Sequence, residues 1–560
     1  MKKWNKDDII SAILKNRGIT TKKDIDAFLR PIPPHELSVK DVGIAKNCTK
    51  KAVKRIGKAI KDKESIVVYT DYDADGLTAG AIVWETIHKL GGLIMPYVPH
   101  RVDEGYGLTK KGIDTVFEKY HPSLLITVDH GITAHKEVEY AKSKGMEVII
   151  TDHHMKPEKL PECLIIHTTA LSGAGVAYFL AKELVFFCHP PSVFCPQLLS
   201  LAAIGTIADM MPLLGPNRSL AKYGLEELKK TNRVGIKALI EEAGLLQSQL
   251  TAYSISHMLA PRLNAMGRLV YALDGLRLLC TNDKNRAKEL ASKLGLTNRE
   301  RQQLTIDTTL HAKELVQSTH GKTIGKKLLF ISHESYNQGV IGLVAGKLVE
   351  TYYLPSIVIS KGDTISKASA RSIKGFNIVE AIRSFSDLLI DVGGHPLAAG
   401  FTIETKKMEK LREKLEKLAE TAITDEMLKR PVAIDLEIPL ESVTEDLYEK
   451  IQQLQPFGFG NPEPVFFSKA VQLVDLRRIG ADGKHLKLKI AIKSRFPELK
   501  MPQFRESSYI EAIGFGMGGL YPEITPNKPV DIIYTIDINE WNGNKNVQLK
   551  IKDIKIMASQ

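Results

Sequence analysis

Three unbroken apolar runs constrain the fold more than any other feature of the chain: Ile66-Val67-Val68-Tyr69, Leu124-Leu125-Ile126-Thr127-Val128 and Val148-Ile149-Ile150. Stretches of helical periodicity separate them, such as Leu77–Leu90 and Glu137–Lys144. A strand that is apolar on both faces must be covered on both, so this alternation predicts a parallel α/β sheet. Each run stops at acidic or imidazole residues: Asp71-Tyr72-Asp73-Ala74-Asp75-Gly76, Asp129-His130-Gly131 and Asp152-His153-His154. Ligands of open parallel sheets sit beyond the carboxyl ends of the strands, so these groups are expected to converge in one cleft.

Carboxylates held that close repel one another at neutral pH, and a divalent cation reverses the sign of the interaction. Mixed carboxylate and imidazole ligands suit manganese, zinc or magnesium, and the oxygen majority favours manganese or magnesium. Two such ions about 3.5–4 Å apart would clamp a phosphodiester. Asp71–Gly76 also looks like the start of a calcium loop, but Leu77-Thr78-Ala79-Gly80 follows and supplies no further acidic ligand, which excludes that reading. The apolar stretch Leu198–Leu214 is interrupted by Asp209 and Pro212, so it reads as a buried element carrying a functional carboxylate rather than a membrane span.

A chain of 560 residues is too long for one core and predicts three or four domains. We read a helical cap at 1–45, the α/β unit at 46–268, and a connecting segment at 269–322 whose long helix covers 283–318. A smaller α/β unit follows at 323–427. From 428 to 560 the pattern alternates, as in His485–Ile490 and Val547–Ile551, with turns at Asp482-Gly483 and Asn542-Gly543; this predicts a small β-barrel. The net charge of +12 suits a polyanionic partner, although the run Lys50, Lys51, Lys54, Arg55, Lys58 reads first as a solvated helix face. The five cysteines form no C-x-x-C pair, so neither a disulfide framework nor a zinc site is expected, including at Cys188, His189 and Cys195. A reducing cytosol is the expected compartment. The first residues contain no signal-peptide core, and no stretch is long and apolar enough for a membrane anchor.

The series Asp73-Ala74-Asp75-Gly76, Thr127-Val128-Asp129, Asp152-His153-His154 and Gly205-Thr206-Ile207-Ala208-Asp209 resembles the motifs of the DHH phosphoesterases. Further stretches resemble the RecJ exonucleases within that family: Arg101 with Glu104-Gly105-Tyr106-Gly107-Leu108, Gly173–Ala177, Ala260–Arg268, Gly339–Gly342, Ser369–Ser372, Gly393–Gly400 and Pro456–Pro462. The resemblance runs from about residue 14 onward. It implies a parallel-sheet DHH domain joined by a long helix to a smaller α/β DHH-associated domain, plus a C-terminal OB-fold β-barrel. It implies a 5′-to-3′ exonuclease on single-stranded DNA in repair and recombination, with two manganese or magnesium ions. Asp71, Asp73, Asp75, Asp129, His153 and Asp209 are the implied metal residues, with Asp129 bridging. Asp152 would orient the histidines. His154 would either contact the scissile phosphate or protonate the leaving oxygen.

For DNA the resemblance points to Arg101, Arg262, Asn264, Arg268, Ser369, Arg371, Ser372, Gly393, Gly394 and His395, and to Phe457, Phe459, Phe515 and Trp541 as stacking candidates. A monomer is implied, with a helicase and a single-strand-binding protein as further partners. The chain departs from the family pattern at His130, at Tyr336-Asn337-Gln338 and at Ala368, which bears on the shape of the strand channel. The alternative is a DHH phosphodiesterase acting on short RNA or cyclic dinucleotides, whose relatives lack the terminal barrel. A degenerate, non-enzymatic scaffold would have lost metal residues that are present here.

Overall fold

Side chains of successive strand residues point to opposite faces, and the first sheet uses both. Ile66, Val68, Leu124, Ile126 and Ile149 join one core with the helices Lys46–Lys61, Ala74–Lys89, Gly173–Cys188 and Gln197–Ala208. Val67, Tyr69, Leu125, Val148 and Ile150 join another with the helices Lys110–Tyr120 and His135–Ser143. The strands are β1 (Ser65–Thr70), β2 (Leu93–Tyr97), β3 (Leu124–Val128), β4 (Glu147–Asp152) and β5 (Leu164–His167), all parallel, in the order β2-β1-β3-β4-β5. The order reverses between β1 and β3, where a doubly wound sheet opens a crevice for a ligand. This computed structural model describes residues 6–101, 103–188, 197–318, 326–492, 509–524, 528–541 and 543–556.

The expected connector is two helices, Leu273–Cys280 and Lys284–Ser318. Asp283 divides them because its side chain accepts the Arg286 amide, 2.7 Å, and so starts a new helix. The single glycine of the long helix has a packing reason: a Cβ at Gly295 would overlap the Glu242 carboxylate. The second α/β unit holds β6 (Leu329–His333), β7 (Ser356–Ser360), β8 (Ile365–Arg371), β9 (Leu389–His395) and β10 (Ala398–Glu404), in a mixed sheet ordered β6-β7-β8-β10-β9.

Short β11 (Leu436–Glu437) precedes β12 (Phe466–Ile479), β13 (His485–Ala491), β14 (Tyr509–Gly514), β15 (Pro529–Trp541) and β16 (Asn544–Ile556). β12 pairs with both β13 and β15, and β14 with β16 in parallel, which closes a five-stranded OB-type barrel.

The helical segment expected at 1–45 divides between two cores: Leu37, Val39, Val42 and Ile44 join that of the first α/β unit, and the first helices pack with the barrel. Ile9, Ile10, Ile13, Leu14 and Phe28 lie in one core with barrel residues such as Ile438, Phe466, Ile532 and Leu549. The guanidinium of Arg17 donates to Asp435 and Asn461, both 2.7 Å. Arg218, fully buried, donates to the carbonyls of Phe28, Leu454 and Gln455 at 2.6, 3.0 and 2.7 Å, pinning the barrel and the first helices to the first α/β unit. The Pro456–Pro462 segment serves the same junction: the Leu213 amide donates to the Phe459 carbonyl, 2.8 Å. On the basic helix Lys46–Lys61, Arg55 is paired with Glu64 and Glu147. Among the described residues no helix is long and apolar enough to cross a membrane.

Candidate metal centre and strand cleft

The helix Ala74–Lys89 begins directly after β1, and its first amides are met by side chains. Asp73 accepts from the amides of Asp75 and Gly76, 2.9 and 3.0 Å, and Asn264 accepts from that of Ala74, 2.7 Å. Asp75 is buried and turns to another helix start, accepting from the amides of Gly173 and Ala174, 2.7 and 2.9 Å, where a carboxylate complements the helix dipole. Asp129 follows β3 with φ +66°, a left-handed conformation that Asp tolerates better than most side chains. Its amide donates to the Thr151 carbonyl, 2.9 Å. Its Oδ1 is buried and meets no hydrogen-bond donor, yet the Nε2 of His153 stands 3.1 Å away. The same nitrogen is 3.6 Å from Asp209 Oδ2 and 4.0 Å from Asp75 Oδ2. Asp152 commits both oxygens to its surroundings: Oδ2 to the Ile132 amide, 2.8 Å, and Oδ1 to the His153 amide, 2.7 Å, and to Nδ1 of His154, 2.8 Å.

Burial and mutual repulsion load this floor. Both push Asp71, Asp75, Asp129 and Asp209 above the usual carboxylate range, Asp75 to about 7 and Asp209 to about 8; Asp73 is among the repelling neighbours of each. Burial and the charge of His154 pull His153 down to about 4, leaving a neutral imidazole. For His154 burial acts the other way, but the bond to Asp152 and its charge prevail and raise it to about 9. Asp152 is held well below the carboxylate range by His154 and backbone amides, against its burial. Three triads present ligand atoms within 4.8 Å of one another: Asp71, Asp73 and Asp129; Asp75, His153 and Asp209; Asp129, His153 and His154. The donorless Asp129 oxygen, the neutral His153 and the oxygen-rich set together fit manganese or magnesium.

The cleft above this floor has a volume of about 210 Å³ and is also lined by Arg101, Arg268, Asn264, Tyr72 and Tyr106. The Arg101 guanidinium lies 5.2 Å from the centre of the Tyr72 ring, which meets Tyr106 edge-on at 6.0 Å. Arg268 reaches the second α/β unit, donating to the Gly339 carbonyl, 3.2 Å. Its pKa falls to about 10 through burial and the charges of Arg101, Arg301 and Arg371. Arg371 donates to Ser369 Oγ, 3.2 Å, and a Cβ on Gly342 would come within 2.9 Å of that oxygen. This places the start of the helix Ile341–Tyr352 beside Ser369.

Other expected DNA residues stand elsewhere. Arg262 is ion-paired with Glu242, which also holds Arg299 at 2.8 Å. Ser372 donates to the Phe376 carbonyl, 2.7 Å, inside a turn. Gly393, Gly394 and His395 are exposed on β9 and are not in the cleft wall. Phe459 and Phe515 are exposed, whereas Phe457 packs against the barrel core; the Trp541 side chain, His189 and Cys195 lie outside the described residues. Sequence reasoning gave no role to Tyr72, Tyr106 or Arg301. The placement of Tyr72 between two metal-site aspartates was a signal, but nothing distinguished Arg301 within its helix.

Glycine at 205 is a steric requirement of the site. An added Cβ would lie 2.3 Å from Asp75 Oδ1 and 2.4 Å from the Ala174 Cβ. Gly205→Ala is expected to destabilise the fold by about 1–3 kcal/mol through overpacking and to weaken manganese binding, as read by thermal melts with and without the ion. A metal-dependent stabilisation equal to that of the unsubstituted protein would contradict the geometry.

Three family models match in series: "DHH family, N-terminal domain" at residues 65–206, "DHHA1 domain" at 322–421 and "RecJ OB domain" at 434–553. The single-stranded-DNA-specific exonuclease RecJ of Bacillus subtilis is 36% identical over 99% of this chain and 68% of its own length. The crystal structure of RecJ from Thermus thermophilus in complex with Mn2+ superposes with a TM-score of 0.80 at 27% identity, covering 99% of this chain and 76% of that one. The Mg2+ complex of the same protein gives 0.75 at 26% identity, covering 99% and 75%. With its three units in the same order and its acidic floor at the sheet's switch point, this chain belongs to the RecJ family of single-stranded-DNA-specific exonucleases.

Proposed function

We infer that the chain is a metal-dependent exonuclease that hydrolyses the phosphodiester bonds of single-stranded DNA, uses manganese or magnesium, and works from the 5′ end. The observation that carries this reading is the meeting, within one cleft, of carboxylates able to hold cations with the guanidiniums of Arg101 and Arg268. Divalent cations on that floor supply neutralisation of the phosphodiester charge and activation of water. Arg101, Arg268 and Arg371 offer planar forks to the oxygens of a terminal 5′-phosphate. Neutral His153 is ready to serve as a ligand without first losing a proton. Asp152 keeps the His154 imidazole protonated, which serves either a contact to the scissile phosphate or donation to the leaving oxygen. Asn264 holds the start of the Asp73-bearing helix in place.

The barrel gives the remainder of the strand a second surface, with exposed Phe515 available for stacking. Short RNA or a cyclic dinucleotide would have no use for that surface. Repair and recombination, a cytoplasmic monomer, and a helicase and a single-strand-binding protein as partners complete the reading.

The test is digestion of single strands labelled at one end or the other, with and without manganese. Mononucleotide release from the 5′ label first, and only with metal, is expected. Release from the 3′ label first would overturn the polarity, and metal-independent release would overturn the chemistry.

A further inference from the structure

His130 follows Asp129 directly, is 2% exposed, and has no part in the chemistry above. Its surroundings give it a different task. β1 and β3 pair in register up to Thr70 and Val128. One further ladder bond follows, from the Asp71 amide to the Val128 carbonyl at 3.3 Å, while the Asp129 amide faces the other neighbour and donates to the Thr151 carbonyl of β4, as alternation in a central strand requires. The registered pairing of β1 with β3 thus ends at the point where Asp71 and Asp129 must stay close enough to share an ion.

The His130 ring links the two strands at that point. Its Nε2 lies 3.0 Å from the Tyr69 carbonyl on β1, and its ring meets the Tyr69 ring edge-on at 5.2 Å. Bonding to a carbonyl fixes the proton on Nε2. Nδ1 then remains a buried acceptor with no partner, so the ring is retained for its one bond rather than for full satisfaction. The Thr127 hydroxyl donates to the His130 carbonyl, 2.9 Å, and fixes the backbone that carries the ring.

We propose that His130 is a positioning residue: by tying the end of β3 back to Tyr69 of β1 it sets the separation of Asp71 and Asp129, and hence the affinity of the cation subsite formed by Asp71, Asp73 and Asp129. The triad of Asp75, His153 and Asp209 contains neither Asp71 nor Asp129. The inference rests on the reading of the cleft as a two-cation centre.

The experiment is manganese titration of the full-length, DNA-free protein by calorimetry and electron paramagnetic resonance, for the unsubstituted protein, His130→Phe and His130→Gln. Phe fills the space without a donor, whereas the Gln amide nitrogen can reproduce Nε2. The unsubstituted protein is expected to bind two ions. In His130→Phe one of them should weaken at least tenfold while the other is unchanged. Exonuclease kcat should fall and recover at high manganese, with KM for DNA unmoved. His130→Gln should restore the weakened ion to within about threefold. Fewer than two ions in the unsubstituted protein would overturn the two-cation reading itself. Two ions of unaltered affinity in a folded His130→Phe, or equal weakening of both, would overturn the positioning role alone. If His130→Phe fails to fold, His130→Gln decides: native affinity at both subsites supports the tie, and loss at both refutes it.

Discussion

Asp129→Asn is expected to remove exonuclease activity while making the metal-free protein more stable. The carboxylate lies in two of the three ligand triads and has an oxygen that no donor satisfies. Its loss should lower kcat on the order of 10³-fold or more, the scale on which a central charge-stabilising group acts. Stability moves the other way for two reasons. Asparagine tolerates the left-handed φ of +66° as well as aspartate does. It also removes one charge from a buried set in which Asp75, Asp73, Asp71 and Asp209 all repel it. Each kcal/mol so relieved raises Tm by about 2–4 °C for a unit of this size, and the manganese-induced rise seen in the unsubstituted protein should largely vanish. Thermal melts with and without manganese, beside a single-strand digestion assay, measure both effects. A metal-free Tm that falls would show that this carboxylate is held by something other than a cation.

The same repulsion predicts an unusual pH dependence. Asp75 titrates near 7 and Asp209 near 8 in the metal-free fold, against the ordinary value of 3.8 for each. Between these limits the folded state holds protons that the unfolded chain has lost. The stability contributed by these groups is therefore complete below about pH 4, declines as pH rises, and is gone above about pH 8. His154, raised to about 9, adds a decline of the same sign between its ordinary 6.5 and 9. Manganese should invert the trend, since its ligands must be deprotonated, and its binding near pH 6 should release protons that are no longer released above pH 9. Denaturant midpoints across pH 5–9 with and without manganese, and calorimetry in buffers of different ionisation enthalpy, test this. His153 and His130, both lowered to about 4, act with the opposite sign only below about pH 6.5, so a metal-free midpoint that climbs from pH 7 to 8 would contradict it.

Much of the site was readable beforehand because its residues interrupt apolar runs. Asp71, Asp129 and Asp152 stand at the ends of strands that are buried apart from the first residues of β1 and β4, and Asp209 interrupts an apolar stretch. A charge there has no packing explanation, so periodicity alone exposes it. The guanidiniums were harder, because an arginine carries no mark of its partner. Arg262 and Arg268 sit six positions apart in one motif, yet one is absorbed by Glu242 and the other faces the cleft. That difference depends on a helix more than a turn of sequence away from either. What the N-terminal helices cover was not legible for a related reason. Their apolar stripe, Ile9, Ile10, Ile13 and Leu14, states that one face is covered but not by what.

That stripe has a consequence for biosynthesis. Arg17 and its partner Asp435 are 418 positions apart, an interval that takes roughly 20–80 s to translate at bacterial-to-eukaryotic elongation rates. Throughout it, the oily side of the first helix has no native resting place, and the emerging polypeptide must be shielded or remain pliable at its leading segment. The β15–β16 hairpin, on arrival, supplies part of the core in which those side chains lie.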